Sequence, residues 1–171
     1  MRQVIVTPYQ TAWIDQFVCE AVRLKHIFAN HIVACHHIGS TAVPGLLAKP
    51  VIDVLIEVHE PIVRVDELNE AMKQIGYEAK GENGIEGRRY FQKGGDQRTH
   101  HVHVFETGSR DVCRHLAVRD YLRAHPKEAH AYGELKRILA AMHPTNITAY
   151  ISGKHEHVQQ LEAAALAWYM Q

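Results

Sequence analysis

Net charge is the first thing this sequence lacks. Its 171 residues carry 19 Lys plus Arg against 19 Asp plus Glu, so no overall field draws the chain to a polyanion or an acidic surface. That balance argues against nucleic acid as a partner and leaves room for local patches only. Cysteine is scarce: Cys19, Cys35 and Cys113 are odd in number, far apart and without CxxC spacing, which argues against a disulfide framework or a cysteine zinc site. No run approaches the roughly 18 apolar residues of a membrane-spanning helix. The opening MRQVIVTPYQTAW lacks the apolar core of a signal peptide. A cytoplasmic protein with no membrane partner is expected. Repeats, low-complexity tracts, linkers and a GxxxxGK[ST] phosphate loop are also missing. One domain over residues 1–171 is therefore expected, a size at which apolar burial alone can hold a core. Nothing in the pattern fixes an oligomeric state.

Histidine is plentiful, with 14 scattered residues, so net charge rises steeply below about pH 6.5. Apolar residues at Trp13, Phe17, Ala21, Leu24 and Phe28 recur at helical spacing. The β-branched run Ile32 to Ile38 and the apolar run Val51 to Val58 read as strands. A helix with Leu68, Met72 and Ile75 facing inward stops at Gly76. Gly81 to Gly87 reads as a mobile loop. Arg88 to Lys93 and Thr99 to Phe105 flank Gly94-Gly95-Asp96 as a hairpin. Three helices follow. The first spans Asp111 to Ala124. The second opens at Pro126 with a stripe at Ala131, Leu135, Ile138 and Met142. The third starts near Asn146 with a stripe at Ile147, Ile151, Val158, Leu161, Ala165 and Trp168. The expected fold class is α/β (α+β): one mixed β-sheet flanked by helices, with a helical C-terminal third.

The most informative stretch is HIGSTAVPGLLAKPVIDV, residues 37 to 54. A strand ends in Gly39-Ser40, a tight turn follows through Thr41, and a second strand carries Asp53. Glycine lets backbone N–H groups approach a phosphate, serine adds a hydroxyl, and a strand carboxylate can hold a divalent cation. A tight turn beside a capped strand end would use the same residues.

Taken whole, the stretch resembles the signature of the GrpB family (the GrpB/dephospho-CoA kinase family) of the nucleotidyltransferase superfamily. The similarity extends through Tyr9 and Trp13, Thr99 to Val104, Arg119 to Arg123, Tyr132 with Leu135-Lys136, and Tyr150 with Lys154. The resemblance implies a nucleotidyltransferase-like sheet and a nucleotide or phosphorylated small molecule as partner. It departs from active nucleotidyltransferases at Leu55, where a second acid is expected two residues after Asp53. Glu57 shares that face, but four strand residues span roughly 13 Å, too far to share one cation.

His101 and His103 emerge on one face of a predicted strand. With Asp53 they can form a two-histidine, one-carboxylate site for Mg²⁺ or Mn²⁺ ahead of Zn²⁺; hydrogen bonding within a polar cleft is the alternative. Lys154 interrupts the apolar stripe of the last helix. His115, Arg119 and Arg123 form one stripe of an earlier helix, and Lys136 follows Tyr132 by one turn. These cations either converge on a ligand or form solvated ion pairs. The candidate site is therefore Asp53 as catalytic acid; Gly39, Ser40, Thr41, Lys49, Arg119, Arg123, Lys136 and Lys154 for phosphate; and Asp53, His101 and His103 for metal. Three functions remain open: nucleotidyl transfer to an acceptor, phosphometabolite binding without chemistry, and metal-dependent hydrolysis by the HxH pair.

Overall fold

The computed structural model describes residues 1–59 and 61–171. Helix α1 (Ala12–Phe28) leads into strand β1 (Ile32–Ile38), joined by a turn to β2 (Ile52–Val58). A 3-10 turn over Ile62–Leu68 and the short helix α2 (Asn69–Gln74) precede β3 (Tyr77–Ala79), β4 (Arg89–Lys93) and β5 (His100–Glu106). Helices α3 (Arg110–Ala124), α4 (Pro126–Met142) and α5 (Ile147–Tyr169) follow. The five strands form one mixed sheet in the order β1-β2-β5-β4-β3. β2 and β5 run parallel, and the other neighbours are antiparallel. This is the expected mixed sheet flanked by helices with a helical C-terminal third.

β2 is buried along most of its length on both faces, which is why its sequence is nearly all apolar. On one face Val54, Ile56, Val102 and Val104 pack with Trp13, Leu24 and Phe28 of α1 and Met72 of α2. On the other, Leu55 and Phe105 pack with Ile38 and Val112 of α3. Asp53, His101 and His103 lie on this second face, at its open end.

A polar network ties the first face together. Glu20 of α1 is 4% exposed and accepts hydrogen bonds from Tyr77 Oη and Lys93 Nζ, each at 2.8 Å. The ring of Tyr77 also lies 4.9 Å from the Lys93 ammonium. One carboxylate thereby joins α1 to the last two strands at one edge of the sheet, β4 and β3.

The structure departs from the sequence expectation in four places. β3 is only three residues long, too short to show a period. The helix around Leu68 shrinks to α2, because Ile62–Leu68 winds as a 3-10 turn. The stripe expected on α4 is out of phase: Ile138 and Met142 are 47% and 64% exposed, whereas Tyr132, Gly133, Lys136 and Leu139 are buried. On α5, Ile151 is 50% exposed and Tyr150 is fully buried. On α4 the buried lysine and glycine put apolar spacing one step aside, whereas on α5 only Ile151 departs and Leu161 and Ala165 are buried as expected. The loop from Gly81 to Gly87 is organised by buried Arg88, which donates to the carbonyls of Glu82 and Asn83 at 3.1 and 2.8 Å.

Burial opposes the ionisation of Glu20, but the hydrogen bonds from Lys93 and Tyr77 outweigh it, so its pKa lies below the usual value. A depressed folded-state pKa gives stability that is present above the unfolded value and lost as pH falls through the folded one. We expect Glu20→Gln to cost on the order of 2 kcal/mol at neutral pH. The variant should also show a shallower loss of stability below about pH 4.5. Urea unfolding of both proteins across that range checks both outcomes; equal acid sensitivity would remove Glu20 from the stabilising network.

Candidate phosphate site

Gly39 ends β1 with φ +73°, and a Cβ there would lie 2.7 Å from Asp53 Oδ2. The glycine is thus needed twice, for its left-handed backbone and for the approach of the aspartate. Its bare face meets Asp53. The 3-10 turn Ser40–Ala42 follows. Ser40 Oγ accepts from Lys136 Nζ at 2.7 Å, and the Thr41 hydroxyl pairs with His37 Nε2 at 2.9 Å. His37 stacks on Phe17, and burial lowers its pKa to about 4.

Arg119 and Arg123 hold this turn from α3. Arg119 Nη1 donates to the His37 carbonyl at 3.3 Å and Arg123 Nε to the Ala42 carbonyl at 2.9 Å. Both lie near Asp120, and neither lines the cavity described below. Their positions brace the loop. Glu57 stands apart as well: it pairs with His36 at 2.6 Å and accepts from the Thr107 hydroxyl at 3.1 Å.

Parallel pairing of β2 and β5 sets Asp53 beside His101 and Leu55 beside His103. Asp53 Oδ1 lies 3.3 Å from His101 Nδ1 and 3.2 Å from His103 Nε2. Partial burial opposes its ionisation, but the two imidazoles outweigh that and hold the carboxyl well below the usual range. Arg88 Nη1 lies 3.4 Å from His103 Nδ1. A guanidinium can only donate, so Nδ1 accepts and the ring proton sits on Nε2, facing Asp53. A metal at that Nε2 would move the proton to Nδ1, against the N–H of Arg88. Among the described residues, no three His, Cys, Asp or Glu side chains are disposed to hold a metal ion. The expected Asp53, His101 and His103 set is brought together, but as a hydrogen-bonded cluster whose donors do not fit a cation. The ring of His115 of α3 lies tilted against that of His103, 5.2 Å between ring centres. Burial, then the nearness of His103, lowers its pKa to about 3.

Asp53 and His101 face a cavity of about 310 Å³ between the sheet and helices α4 and α5. Lys49, Lys136 and Lys154 all line it. Lys136 is 2% exposed. Burial, then the charges of Lys154 and Lys49, lowers its pKa to about 6. Lys49 falls to about 8 through burial and the nearness of Lys154 and Arg2. Burial also lowers Lys154. Among the described residues the ion-paired lysines are Lys80 and Lys93; the three cavity lysines instead face hydroxyls and aromatic rings. Lys49 and Lys154 each lie 5.3 Å from the centre of the Tyr150 ring, and Lys136 lies 4.5 Å from that of Tyr132.

Sequence reasoning matched Tyr132 and Tyr150 to a family pattern without giving them a role, and it assigned none to Arg88. Tyr150 also lines the cavity. Its Oη and His101 Nε2 are the buried side-chain polar atoms that lack a hydrogen-bond partner among the described residues. The fully buried Tyr150 interrupts an otherwise readable helix pattern, and that interruption was the available signal.

The sheet and its helical cap have a nucleotidyltransferase-like fold. Structures of Cid1, one in complex with its short product ApU, superpose with a TM-score of 0.51 at 12% identity, covering 75% of this chain and 41% of Cid1. The chain belongs to the GrpB family: the family model, described as GrpB protein, matches residues 3–164. The crystal structure of conserved protein GrpB from Enterococcus faecalis superposes with a TM-score of 0.94 at 46% identity, over 98% of this chain and 100% of that one. The UPF0157 protein YqkA of Bacillus subtilis is 52% identical over 167 residues, 98% of this chain but 48% of YqkA, so the chain spans about half of that relative. The glutamate-rich protein GrpB of Alkalihalophilus pseudofirmus is 32% identical over 164 residues, 93% of this chain and 94% of that protein. No helix among the described residues is long and apolar enough to cross a membrane.

Two glycines of the signature separate backbone strain from close approach. Gly45 has φ +82° with nothing within 4 Å of an added Cβ, unlike Gly39. Gly45→Ala is expected to cost about 1 kcal/mol and Gly39→Ala about 3 kcal/mol or more. Chemical denaturation gives both values, and equal costs would show that Asp53 does not press on Gly39.

Proposed function

We propose that this chain binds the phosphate groups of a nucleotide or other phosphorylated small molecule in the cavity of Ser40, Lys49, Lys136 and Lys154. The observation that carries this reading is the convergence of three lysines without ion pairs on a cavity that holds one carboxylate. Burying positive charge without compensation is costly, and a multivalent anion supplies the compensation. Ser40, already bonded to Lys136, and the orphaned Tyr150 Oη offer hydroxyls to phosphoryl oxygens. Cid1, of similar fold, has been solved with the UTP analogue UMPNPP and with MgATP, so such a sheet accommodates nucleotides.

Binding is favoured over nucleotidyl transfer because Leu55 is fully buried among apolar side chains. Asp53 remains the acid available to chemistry at this cavity, where its charge would steady His101 and orient a bound group. The lysines supply positive charge that a Mg²⁺ or Mn²⁺ ion contributes elsewhere, so phosphate binding should not require a divalent cation.

Sulfate stays dianionic near neutral pH and isolates the titration of the protein. The free site has Lys136 at about 6 and Lys49 at about 8, and an anion favours their charged forms. Binding therefore takes up protons and weakens as pH rises. We expect sulfate affinity to fall by up to about tenfold per pH unit from pH 6 to 8, more steeply above 8, and equally with or without EDTA. Lys136→Met should remove most of the slope below pH 8. Lys154→Met should melt at or above the parent temperature without ligand and lose its sulfate-dependent gain of about 1.5–3 kcal/mol at 10 to 100 times Kd. Calorimetry and thermal melts read these outcomes. A variant retaining the full gain, or binding only with added metal, would refute the lysine site.

A further inference from the structure

A second, larger cavity of about 590 Å³ adjoins the first, and Lys49 and Val51 line both. Its wall combines apolar Ile5 and Pro50 with Arg2, Arg98 and Asp96. Ile5 is 51% exposed there, an apolar surface for the body of a ligand. Neither arginine is ion-paired among the described residues; Asp96, which pairs with the Met1 ammonium at 3.2 Å, lies close enough to Arg2 to favour its charge. Arg98 Nε donates to the Gly95 carbonyl at 3.0 Å, and another of its nitrogens donates to Gln92. Arg2 forms no ion pair among the described residues; burial and the nearness of Arg98 both disfavour its charge. Lys49 is the link, because its charge is disfavoured by Lys154 on one side and Arg2 on the other. Positive groups thus run from Lys136 through Lys154 and Lys49 to Arg2 and Arg98, against Asp53 and Asp96.

A single phosphate would match the first group and leave the guanidiniums unmatched. We infer that the ligand is an extended small molecule acidic at both ends: a phosphoryl group in the smaller cavity, an organic body against Ile5, Pro50 and Val51, and a second anionic group at Arg2 and Arg98. The cavity sizes, about 310 and 590 Å³, together match a pocket for a metabolite of nucleotide size. This inference rests on the phosphate-site reading and adds the chemistry of the other end of the ligand.

The test uses the full chain and calorimetry with three probes: inorganic pyrophosphate, adenosine 5′-monophosphate and adenosine 3′,5′-bisphosphate. The two nucleotides share one body and differ by the second anionic group. Bisphosphate is expected to bind about tenfold or more tighter than monophosphate. Arg2→Gln, which breaks no ion pair, should abolish that difference while leaving pyrophosphate affinity unchanged. Equal affinity for the two nucleotides, or an Arg2→Gln variant that weakens all three probes alike, overturns the second anionic subsite. Failure of pyrophosphate to bind while the bisphosphate binds through Arg2 would count against the lysine site instead. A 5′-phosphorylated RNA trinucleotide that binds more tightly than the bisphosphate would overturn the small-molecule assignment.

Discussion

The Asp53 carboxylate has more positive and donating neighbours than it can satisfy. Two imidazoles compete for one of its oxygens, at 3.3 and 3.2 Å, and three lysine side chains line the same cavity. Its position depends on the missing side chain of Gly39, since any Cβ there would meet the other oxygen. The turn that places Gly39 is held by the arginines of α3, and the strand that carries Asp53 is held in register beside His101 by parallel pairing. If any of these changes, the one carboxylate that lines this cavity among the described residues moves away from the lysines around it.

The lysines arrive by close helix packing. Gly133 of α4 lies so near the β1–β2 connection that a Cβ would touch Leu47 and Leu46 at 3.3 and 3.4 Å. Gly153 of α5 is pressed harder, with Leu139 2.5 Å from an added Cβ. These small residues let α4 and α5 close over the open end of the sheet, bringing Lys136 and Lys154 to one cavity. Small residues at helix crossings shorten the distance between axes. Here they serve to bury charge beside Ser40 as well as to fill a core.

Sequence patterns made the main frame legible because its elements are long or strongly periodic. Helix α1, strands β1 and β2, the β4–β5 hairpin and the caps at Pro126 and Asn146 all follow from local chemistry. Parity along β5 put His101 and His103 on one face, and the turn motif singled out Gly39 and Ser40. Tertiary packing decided the rest. An apolar stripe marks the core only where the core is apolar. On α4 and α5 the inward face carries Lys136 and Tyr150 at a polar cavity and the buried Tyr132, so counting apolar residues selected the exposed Ile138, Met142 and Ile151. Spacing also placed two histidines near a carboxylate without revealing Arg88, whose hydrogen bond fixes the tautomer of His103 and turns a plausible ligand set into a donor cluster. The arginines of α3 lay on the predicted helix, but only the packed structure shows that they serve backbone carbonyls.

How such a cavity holds three lysines follows from proton occupancy. Written as a sequence, Lys49, Lys136 and Lys154 are three full charges. In the fold, burial and mutual repulsion bring Lys136 down to about 6 and Lys49 to about 8. Burial therefore shifts Lys136 far toward its uncharged form. A neutral amine still donates to Ser40 Oγ, so the hydrogen bond that positions it does not depend on its charge. The free protein thereby avoids much of the cost of burying three cations. On the proposed reading a phosphate would reverse the balance, because its negative charge favours the protonated amine, and the site would be most cationic with an anion bound. A divalent ion held by the protein would repel the same lysines and suppress their protonation. The buried lysines and the scarcity of acids around Asp53 are thus two sides of one electrostatic arrangement, and on the proposed reading protons drawn in by an anion would supply its positive charge.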